Sequence, residues 1–128
     1  MFQSAGGAAL LCCLVTHAAA QTIDVPSGLE VSLIEVILEE NPPTARFRFL
    51  VPAIGQSDAV AFSDVAADFQ YLCDSLVIPG LAANDLGTQD IVISMSAENV
   101  PFGTVTAEVT QFFQPFSVQD DTCIWEDF

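Results

Sequence analysis

Hydrophobic and polar side chains alternate in two stretches in the first half of the chain. Between residues 29 and 39, Val, Ile and Leu alternate with Ser and Glu, which is typical of a strand with one solvated face. The alternation slips near Leu33-Ile34, so we expect a β-bulge there. Residues 40–44, Glu-Asn-Pro-Pro-Thr, predict a chain reversal. The renewed alternation over residues 45–51 completes a predicted hairpin, and residues 22–25 predict a short strand before it.

The period changes in the middle of the chain. Apolar side chains recur every three to four residues from Val65 to Leu76, while Asp side chains fall largely on the other side, and this pattern predicts an amphipathic helix. We expect Ser63 to be its N-cap, because Ser favours that position. The helix should end before Pro79, because the residue before a proline is disfavoured in helical conformation. The predicted helix therefore covers about residues 63–78.

The last third of the chain predicts three more segments. Residues 91–95 alternate around Ile and Met and predict a core strand, followed by a turn-rich link over residues 98–103. Residues 109–118 predict a strand that Pro115 interrupts, so it should be bulged or lie at a sheet edge. An Asp-Asp turn then leads into a last strand at residues 123–125.

The order of these elements is strands, one helix, then strands. It lacks the regular βαβ alternation of a doubly wound sheet. We therefore expect an α+β fold, with an antiparallel β-sheet of about five to six strands and one packed α-helix.

The N-terminus has the pattern of an export signal. An apolar run from Ala5 to Val15 is followed by Ala18-Ala19-Ala20, a small-residue pattern that suits signal peptidase. A membrane-spanning helix needs about 20 apolar residues, which this run lacks. The sequence thus predicts a cleavable signal peptide at residues 1–20 and a single mature domain at residues 21–128, in the periplasm or secreted, with no integral membrane segment after cleavage. The alternative is a short buried N-terminal helix.

Two cysteines remain after the predicted cleavage, Cys73 and Cys123. In an oxidising compartment such a pair most often forms one disulfide, which here would link the helix to the last strand. The alternative is a redox pair. No C-x-x-C motif and no Lys or His in the mature part is present to activate a thiol, so we favour the structural disulfide.

The chain is strongly acidic, with a formal net charge of −15 at pH 7. Nucleic acid is a poor partner for it, because phosphate contacts need clustered Lys and Arg. Anionic membrane surfaces would repel it for the same reason. We expect the charge to keep the protein soluble and monomeric.

Missing residue types exclude most familiar catalytic machinery. The chain has no lysine, and its one histidine lies in the predicted signal peptide. Serine triads, papain-like pairs and Ser-Lys dyads therefore lack a component, and typical zinc sites lack ligands. We predict no cofactor and no metal. Two chemistries remain open: a glycosidase, which needs only two carboxylates, and calcium at the acids near residues 120–127, which lack EF-hand spacing.

Two pairs of residues are candidates for binding. Arg46 and Arg48 are two apart on a strand and project from one face, where they could clamp a carboxylate or phosphate. We favour cross-strand pairing with Glu35 and Glu39 on the preceding strand. The second pair is Phe113 and Trp125, which belong to a C-terminal aromatic group with Phe112, Phe116 and Phe128. Exposed, this group would mark a binding surface; we expect most of it to be core.

Several stretches resemble a known family. They are Ile23-Asp24-Val25-Pro26-Ser27-Gly28, Arg46-Phe47-Arg48-Phe49, Ile91-Val92-Ile93-Ser94-Met95-Ser96, Thr110-Gln111-Phe112-Phe113 and, most distinctive, Cys123-Ile124-Trp125-Glu126. Together they resemble a family of small exported alphaproteobacterial proteins classed only as a domain of unknown function. The resemblance covers nearly all of the predicted mature chain. It implies export and one compact domain, and it carries over no catalytic or binding residues.

The leading hypothesis is a non-enzymatic periplasmic domain that binds an unknown protein or envelope component, through an aromatic patch bordered by carboxylates. The alternative is a small carboxylate-based hydrolase or small-ligand-binding protein. A hydrolase should show a concave pocket with convergent carboxylates, whereas an interaction domain should show a flatter apolar patch.

Overall fold

The computed structural model describes residues 21–56, 60–87 and 89–127. The predicted signal peptide, its cleavage site and Phe128 of the aromatic group lie outside the described residues.

A five-stranded sheet forms the framework, with strands β1 (Ser32–Glu40), β2 (Pro43–Leu50), β3 (Asp90–Ser96), β4 (Gln111–Gln119) and β5 (Thr122–Trp125). Their order in the sheet follows the chain. Every neighbouring pair is antiparallel except β2 and β3, which are parallel. The predicted α+β fold with one helix is confirmed. The parallel pair was not predicted, and it exists because the helix between β2 and β3 returns the chain to the end where β2 began.

The hairpin of β1 and β2 forms as predicted. Its register shifts between Leu33 and Glu35, which confirms the expected bulge. The short strand predicted at residues 22–25 is reduced to a single bridge between Thr22 and Ser32. Beside that bridge, the backbone N–H of Ile23 donates to the carbonyl of Val31 at 2.8 Å. Within the sheet, the N-terminal arm thus pairs only with the beginning of β1.

One continuous helix, α1, crosses the sheet. It begins as an α-helix at Phe62–Leu72, passes through a π-helical turn at Cys73–Val77 and ends as an α-helix at Ile78–Ala83. It extends past Pro79, contrary to the predicted end, because the wider π turn bonds the N–H of Ile78 to the carbonyl of Cys73. The π turn shifts the backbone hydrogen bonds at the position where the ring of Pro79 would clash with a regular α-helix, so the helix can continue.

The start of α1 also differs by two residues from the prediction. The N-cap is Ala61 rather than Ser63, so the serine lies inside the first turn. Asp64 lies in that turn, as expected from the helix dipole, and its carboxylate accepts the N–H of Ala61 at 2.8 Å. A carboxylate three residues into the helix thereby satisfies the free N-terminal amide.

The core lies between α1 and one face of the sheet. Alternate residues of the central strands point toward the helix, and the three predicted core residues Ile91, Ile93 and Met95 are fully buried. From α1, the i, i+4, i+7 pattern brings Val65, Phe69 and Leu72 down onto them, each fully buried. Alternation along β2 and periodicity along α1 therefore place one apolar face on each element.

A buried carboxylate ties the N-terminal arm to α1. Asp68 is fully buried and accepts hydrogen bonds from the backbone N–H of Ser27 at 2.8 Å and from its hydroxyl at 2.5 Å. Ser27 therefore satisfies both oxygens of a carboxylate that would otherwise be costly to bury.

The outer edge of β5 is joined to α1. Cys73 and Cys123 form a disulfide with a Cα–Cα distance of 6.1 Å, as predicted. Next to it, the carboxylate of Asp74 accepts the backbone N–H of Cys123 at 2.8 Å. The side-chain amide of Gln70 donates to the carbonyl of Cys123 at 2.8 Å and to Asp74 at 2.9 Å. The polar backbone groups of this edge residue are thus satisfied by the helix.

Pro115 lies in β4, which has neighbours on both sides. Its carbonyl accepts the N–H of Glu126 at 3.1 Å, so the proline nitrogen faces the edge just beyond the end of β5 at Trp125. The side-chain amide of Gln114 donates to the carbonyl of Glu126 at 2.9 Å. Gln114 therefore supplies the donor that Pro115 lacks, and the proline costs no interior ladder bond.

Reduction of the disulfide should lower the free energy of unfolding by about 4 kcal/mol, because the bond closes a loop of 50 residues in the unfolded chain. Urea titrations followed by the fluorescence of the single tryptophan, with and without reductant, would measure this. The variant Cys73→Ser/Cys123→Ser should match the reduced protein. Equal midpoints for the oxidised and reduced protein would contradict the expectation.

Replacement of Asp74 by Ala should lower the free energy of unfolding by about 1–3 kcal/mol, because the N–H of Cys123 and one contact of Gln70 lose their acceptor. Urea titration under oxidising conditions would measure the loss. Asp24→Ala, at an exposed acid, is the matched control and should change stability by less than about 0.5 kcal/mol. Similar effects of both variants would show that the Asp74 contacts do not stabilise the fold.

Candidate functional site

The face of the sheet opposite α1 is the most distinctive surface of the protein. Arg46 and Arg48 of β2 lie there, in register with Val92 and Ser94 of β3. Phe113 of β4 lies next to Ser94 on the same face. No helix covers this face in the described part of the chain. The segment between β3 and β4 lies against it. Both arginines of the chain thus occupy one side of the sheet, as their spacing predicted.

Arg48 is the better buried of the two arginines, with 8% of its surface exposed. Its guanidinium donates from Nη1 to the carboxylate of Glu35 and from Nη2 to the carbonyl of Val100 at 2.5 Å. The ring of Phe102 lies over it, 5.8 Å from Cζ to the ring centroid, within cation–π range. Arg48 therefore fixes the segment after β3 against the sheet.

Arg46 is more open, with 31% of its side chain exposed. Its Nε donates to Glu39 at 3.0 Å, and its Cζ lies 5.6 Å from the centroid of Phe102. Both favoured ion pairs, with Glu35 and Glu39, are therefore present. Within the described part of the chain, the two terminal nitrogens of Arg46 make no hydrogen bond. One guanidinium edge is thus available to an oxygen acceptor.

These residues line a cleft of about 250 Å³, which we name the Arg–Phe cleft. Its floor is formed by strands β2, β3 and β4, and its wall by the segment from Phe102 to Val105. The most exposed apolar side chains around it are Phe102 (50%), Val105 (85%) and Phe113 (41%). The full lining is Arg46, Arg48, Val92, Ser94, Phe102, Gly103, Thr104, Val105, Gln111 and Phe113. It includes no carboxylate.

Trp125 lies away from the cleft, on the face that α1 covers. Its ring is edge-on to Phe116 at 5.2 Å and to Phe62 at 6.3 Å, and 39% of it is exposed. The aromatic group therefore does not form one patch. Alternation along β4 sends Phe112 and Phe116 toward the helix and Phe113 to the cleft. Of the candidate binding residues, Arg46, Arg48 and Phe113 are brought together and Trp125 is separate.

Phe102 was not among the candidates, although it contacts both arginines. The sequence predicted only a turn-rich link at residues 98–103. The available signal was the spacing of Val100, Phe102 and Val105, three large apolar residues in a segment that has no strand or helix pattern. Apolar residues in such a link indicate that it packs on something.

Carboxylates do not converge in the Arg–Phe cleft, but two of them line one depression elsewhere. Glu98 and Glu108 line a depression of about 210 Å³ beside Pro52 and Thr110, and both are exposed. Near the C-terminus, Asp120 and Asp121 form the two-residue turn between β4 and β5, with φ of 50° and 60°. Among the described residues, no three His, Cys, Asp or Glu side chains are grouped so that they could hold a metal ion.

Within the described part of the chain, no helix is long and apolar enough to cross a membrane. Comparison with known proteins returns no match among curated proteins and none among solved structures. One protein family matches: residues 10–128 fit DUF6497, a family of unknown function. Because that match covers almost the whole sequence, the chain belongs to the DUF6497 family.

Proposed function

We propose that the protein is an exported, non-enzymatic binding domain, and that the Arg–Phe cleft receives a side chain of a protein partner or of another envelope component. The observation that carries this proposal is the exposed apolar rim of Phe102, Val105 and Phe113 around the open guanidinium edge of Arg46. Exposed aromatic and arginine side chains that adjoin are enriched at protein interfaces.

The size of the cleft favours a side chain over a cofactor. Small-molecule sites usually measure about 300–1,000 Å³, and the Arg–Phe cleft measures about 250 Å³. Its lining is apolar apart from the guanidinium groups and a few neutral polar side chains. An apolar or aromatic side chain fits this lining, with an oxygen acceptor, a carbonyl or a carboxylate, placed to bond the terminal nitrogens of Arg46.

The negative charge of the chain favours some classes of partner over others. Both arginines are already neutralised by Glu35 and Glu39, and the formal net charge is −15. The long-range field therefore attracts a partner with a cationic surface and repels nucleic acid and anionic lipid. Two copies of the chain, each with this negative charge, also repel each other, which supports a monomeric protein in the free state.

Export to the periplasm or the medium is supported by two independent features. The N-terminal pattern suits signal peptidase after Ala20, which would leave residues 21–128 as a single mature domain. The disulfide between Cys73 and Cys123 is of the kind that persists in oxidising compartments.

The alternative is a small carboxylate-based hydrolase that uses Glu98 and Glu108, which line one depression. A general acid of this kind works from an apolar pocket that keeps its carboxyl group protonated. Both glutamates are exposed and lie outside the strands, so the binding proposal is the better supported one. A small-ligand-binding protein is the other form of this alternative, and the size of the cleft counts against it.

A photo-reactive amino acid at Val105, the most exposed residue of the rim, should crosslink one reproducible partner in cells of the native host. Arg46→Gln and Phe113→Ala should each lower the yield about tenfold, because each removes a contact worth about 1.4 kcal/mol. The measurement is the fraction of protein shifted on a gel and the identity of the joined partner by mass spectrometry.

Two controls distinguish the proposals. Tyr71→Ala changes an exposed aromatic residue on α1 and should leave the yield unchanged. Glu98→Gln/Glu108→Gln should also leave it unchanged, whereas loss of a cellular function in that variant alone would favour the hydrolase. Absence of any crosslink, or equal yields for all variants, would refute the cleft as the binding site.

Fractionation of the native host should place the protein in the periplasm or the medium, with Gln21 as its N-terminal residue, because cleavage is expected after Ala20. Mass spectrometry of the intact protein would measure both the N-terminus and the disulfide. Replacement of Ala18 and Ala20 by Phe should retain the uncleaved chain, because signal peptidase needs small residues there. A full-length cytoplasmic protein in the unaltered strain would contradict export.

A further inference from the structure

The two edges of the sheet are treated differently. The outer edge of β5 is short and is satisfied by Gln70 and Asp74 of α1. The outer edge of β1 is nine residues long, and beyond Ser32 it has no strand partner among the described residues. β1 contains no proline, and the features that protect its edge are the bulge between Leu33 and Glu35 and its glutamates, which repel anionic partners.

The N-terminal arm shows that this edge can pair with another strand. Thr22 bridges Ser32 in antiparallel direction, and the N–H of Ile23 donates to the carbonyl of Val31. The bridged stretch stops at the bulge between Leu33 and Glu35. Past the bulge, residues 35–40 continue as a regular strand, and within the described ranges no other strand pairs with their outward backbone groups.

An apolar groove runs beside this part of β1. It lies between the strand and the end of α1, measures about 520 Å³, and is lined by Val36, Leu38, Phe47, Gly80, Leu81, Asn84 and Leu86. Val36 and Leu38 are 44% and 49% exposed, which is unusual for large apolar residues on the core-facing side of a strand. A strand added to the edge of β1 would cover both with every second side chain.

The other side of the same edge is acidic. Glu35 and Glu39 alternate with Val36 and Leu38 on β1, and their side chains remain 45% and 41% exposed although each contacts an arginine. Glu40 is exposed at the end of the strand, and Asp85 is exposed between the groove residues Asn84 and Leu86. Cross-strand neighbours of opposite charge stabilise strand pairing, and like charges oppose it.

We propose that residues 35–40 of β1 bind an extended segment of another protein by β-strand addition, and that this segment alternates apolar and cationic side chains. Its apolar residues lie in the groove beside Val36 and Leu38. Its Lys or Arg residues face Glu35 and Glu39 on the other side. Backbone hydrogen bonds to β1 provide affinity, and this alternation provides specificity.

A second copy of the chain is a poor occupant of the same edge. Two β1 strands side by side would bring glutamates of both copies together at this edge, and each copy has a formal net charge of −15. A cationic strand from a different protein removes that repulsion. The apolar groove lies on the face of the sheet opposite the Arg–Phe cleft, and residues 35–40 are not among the residues that line the cleft.

The test is a titration of the isotope-labelled full chain, with its disulfide oxidised, followed by amide NMR spectra. The probe is an N-acetylated, C-amidated heptapeptide of alternating Lys and Val. The amides of residues 35–40 and 80–86 should shift, and those of residues 102–113 should not. Affinity should fall about tenfold or more for Leu38→Lys, which places a like charge against the peptide and fills the groove with a polar group.

Matched controls keep the test decisive. Ile124→Lys, at an exposed apolar residue of the other edge strand, and Phe113→Ala in the cleft should leave the affinity within about twofold. A heptapeptide of alternating Glu and Val should not bind, and a central proline in the Lys-Val peptide should weaken it because one backbone donor is lost. Circular dichroism of each protein variant would verify its folding.

Three outcomes would overturn the inference. They are no shift at millimolar peptide, shifts confined to residues 102–113, and a dimer by sedimentation that Leu38→Lys dissociates, since that dimer would identify a second copy as the occupant. Failure here leaves the cleft crosslink from Val105 unaffected, so the two proposals can fail separately.

Discussion

The junction between α1 and β5 determines which surfaces of this protein are open. The disulfide from Cys73 to Cys123 holds the helix at one edge of the sheet. Beside it, Asp74 accepts the backbone N–H of Cys123 and Gln70 donates to its carbonyl. The helix can then cover only one face, where it buries the apolar residues of β2 and β3. The helix does not cover the opposite face or the far edge at β1.

On the open face, the scarcity of cations gives each one a defined place. A buried guanidinium is costly unless all its partners are present, and Arg48 has a carboxylate, a carbonyl and an aromatic ring around it. Those contacts specify both the register of β1 against β2 and the position of the segment that carries Phe102. A one-residue slip of the hairpin would separate Arg48 from Glu35 and turn the core residues outward.

The sequence was most informative where one local rule applied alone. Period-two alternation predicted the β1–β2 hairpin with its bulge. Two of the four cysteines fall in the predicted export signal, and the remaining pair predicted the disulfide. The parallel pairing of β2 and β3 could not be derived this way, because it depends on where the helix returns the chain. The extension of α1 past Pro79 depends on a π turn, and no residue type in the sequence predicts such a turn. The wall of the cleft was missed because Phe102 lies in a link without periodicity, and its contacts are with arginines about fifty residues earlier.

The placement of both arginines in β2 also affects how the chain meets proteases. Trypsin-like enzymes cleave after Lys or Arg in segments that can leave the fold and enter an active-site groove. This chain has no lysine, and its two arginines lie in a strand that is paired with β1 on one side and β3 on the other. Every potential cut is therefore within an interior strand of the sheet, so digestion by such enzymes requires the sheet to open first. The small number of cleavage sites and their position in a paired strand together protect the folded protein from this class of proteases.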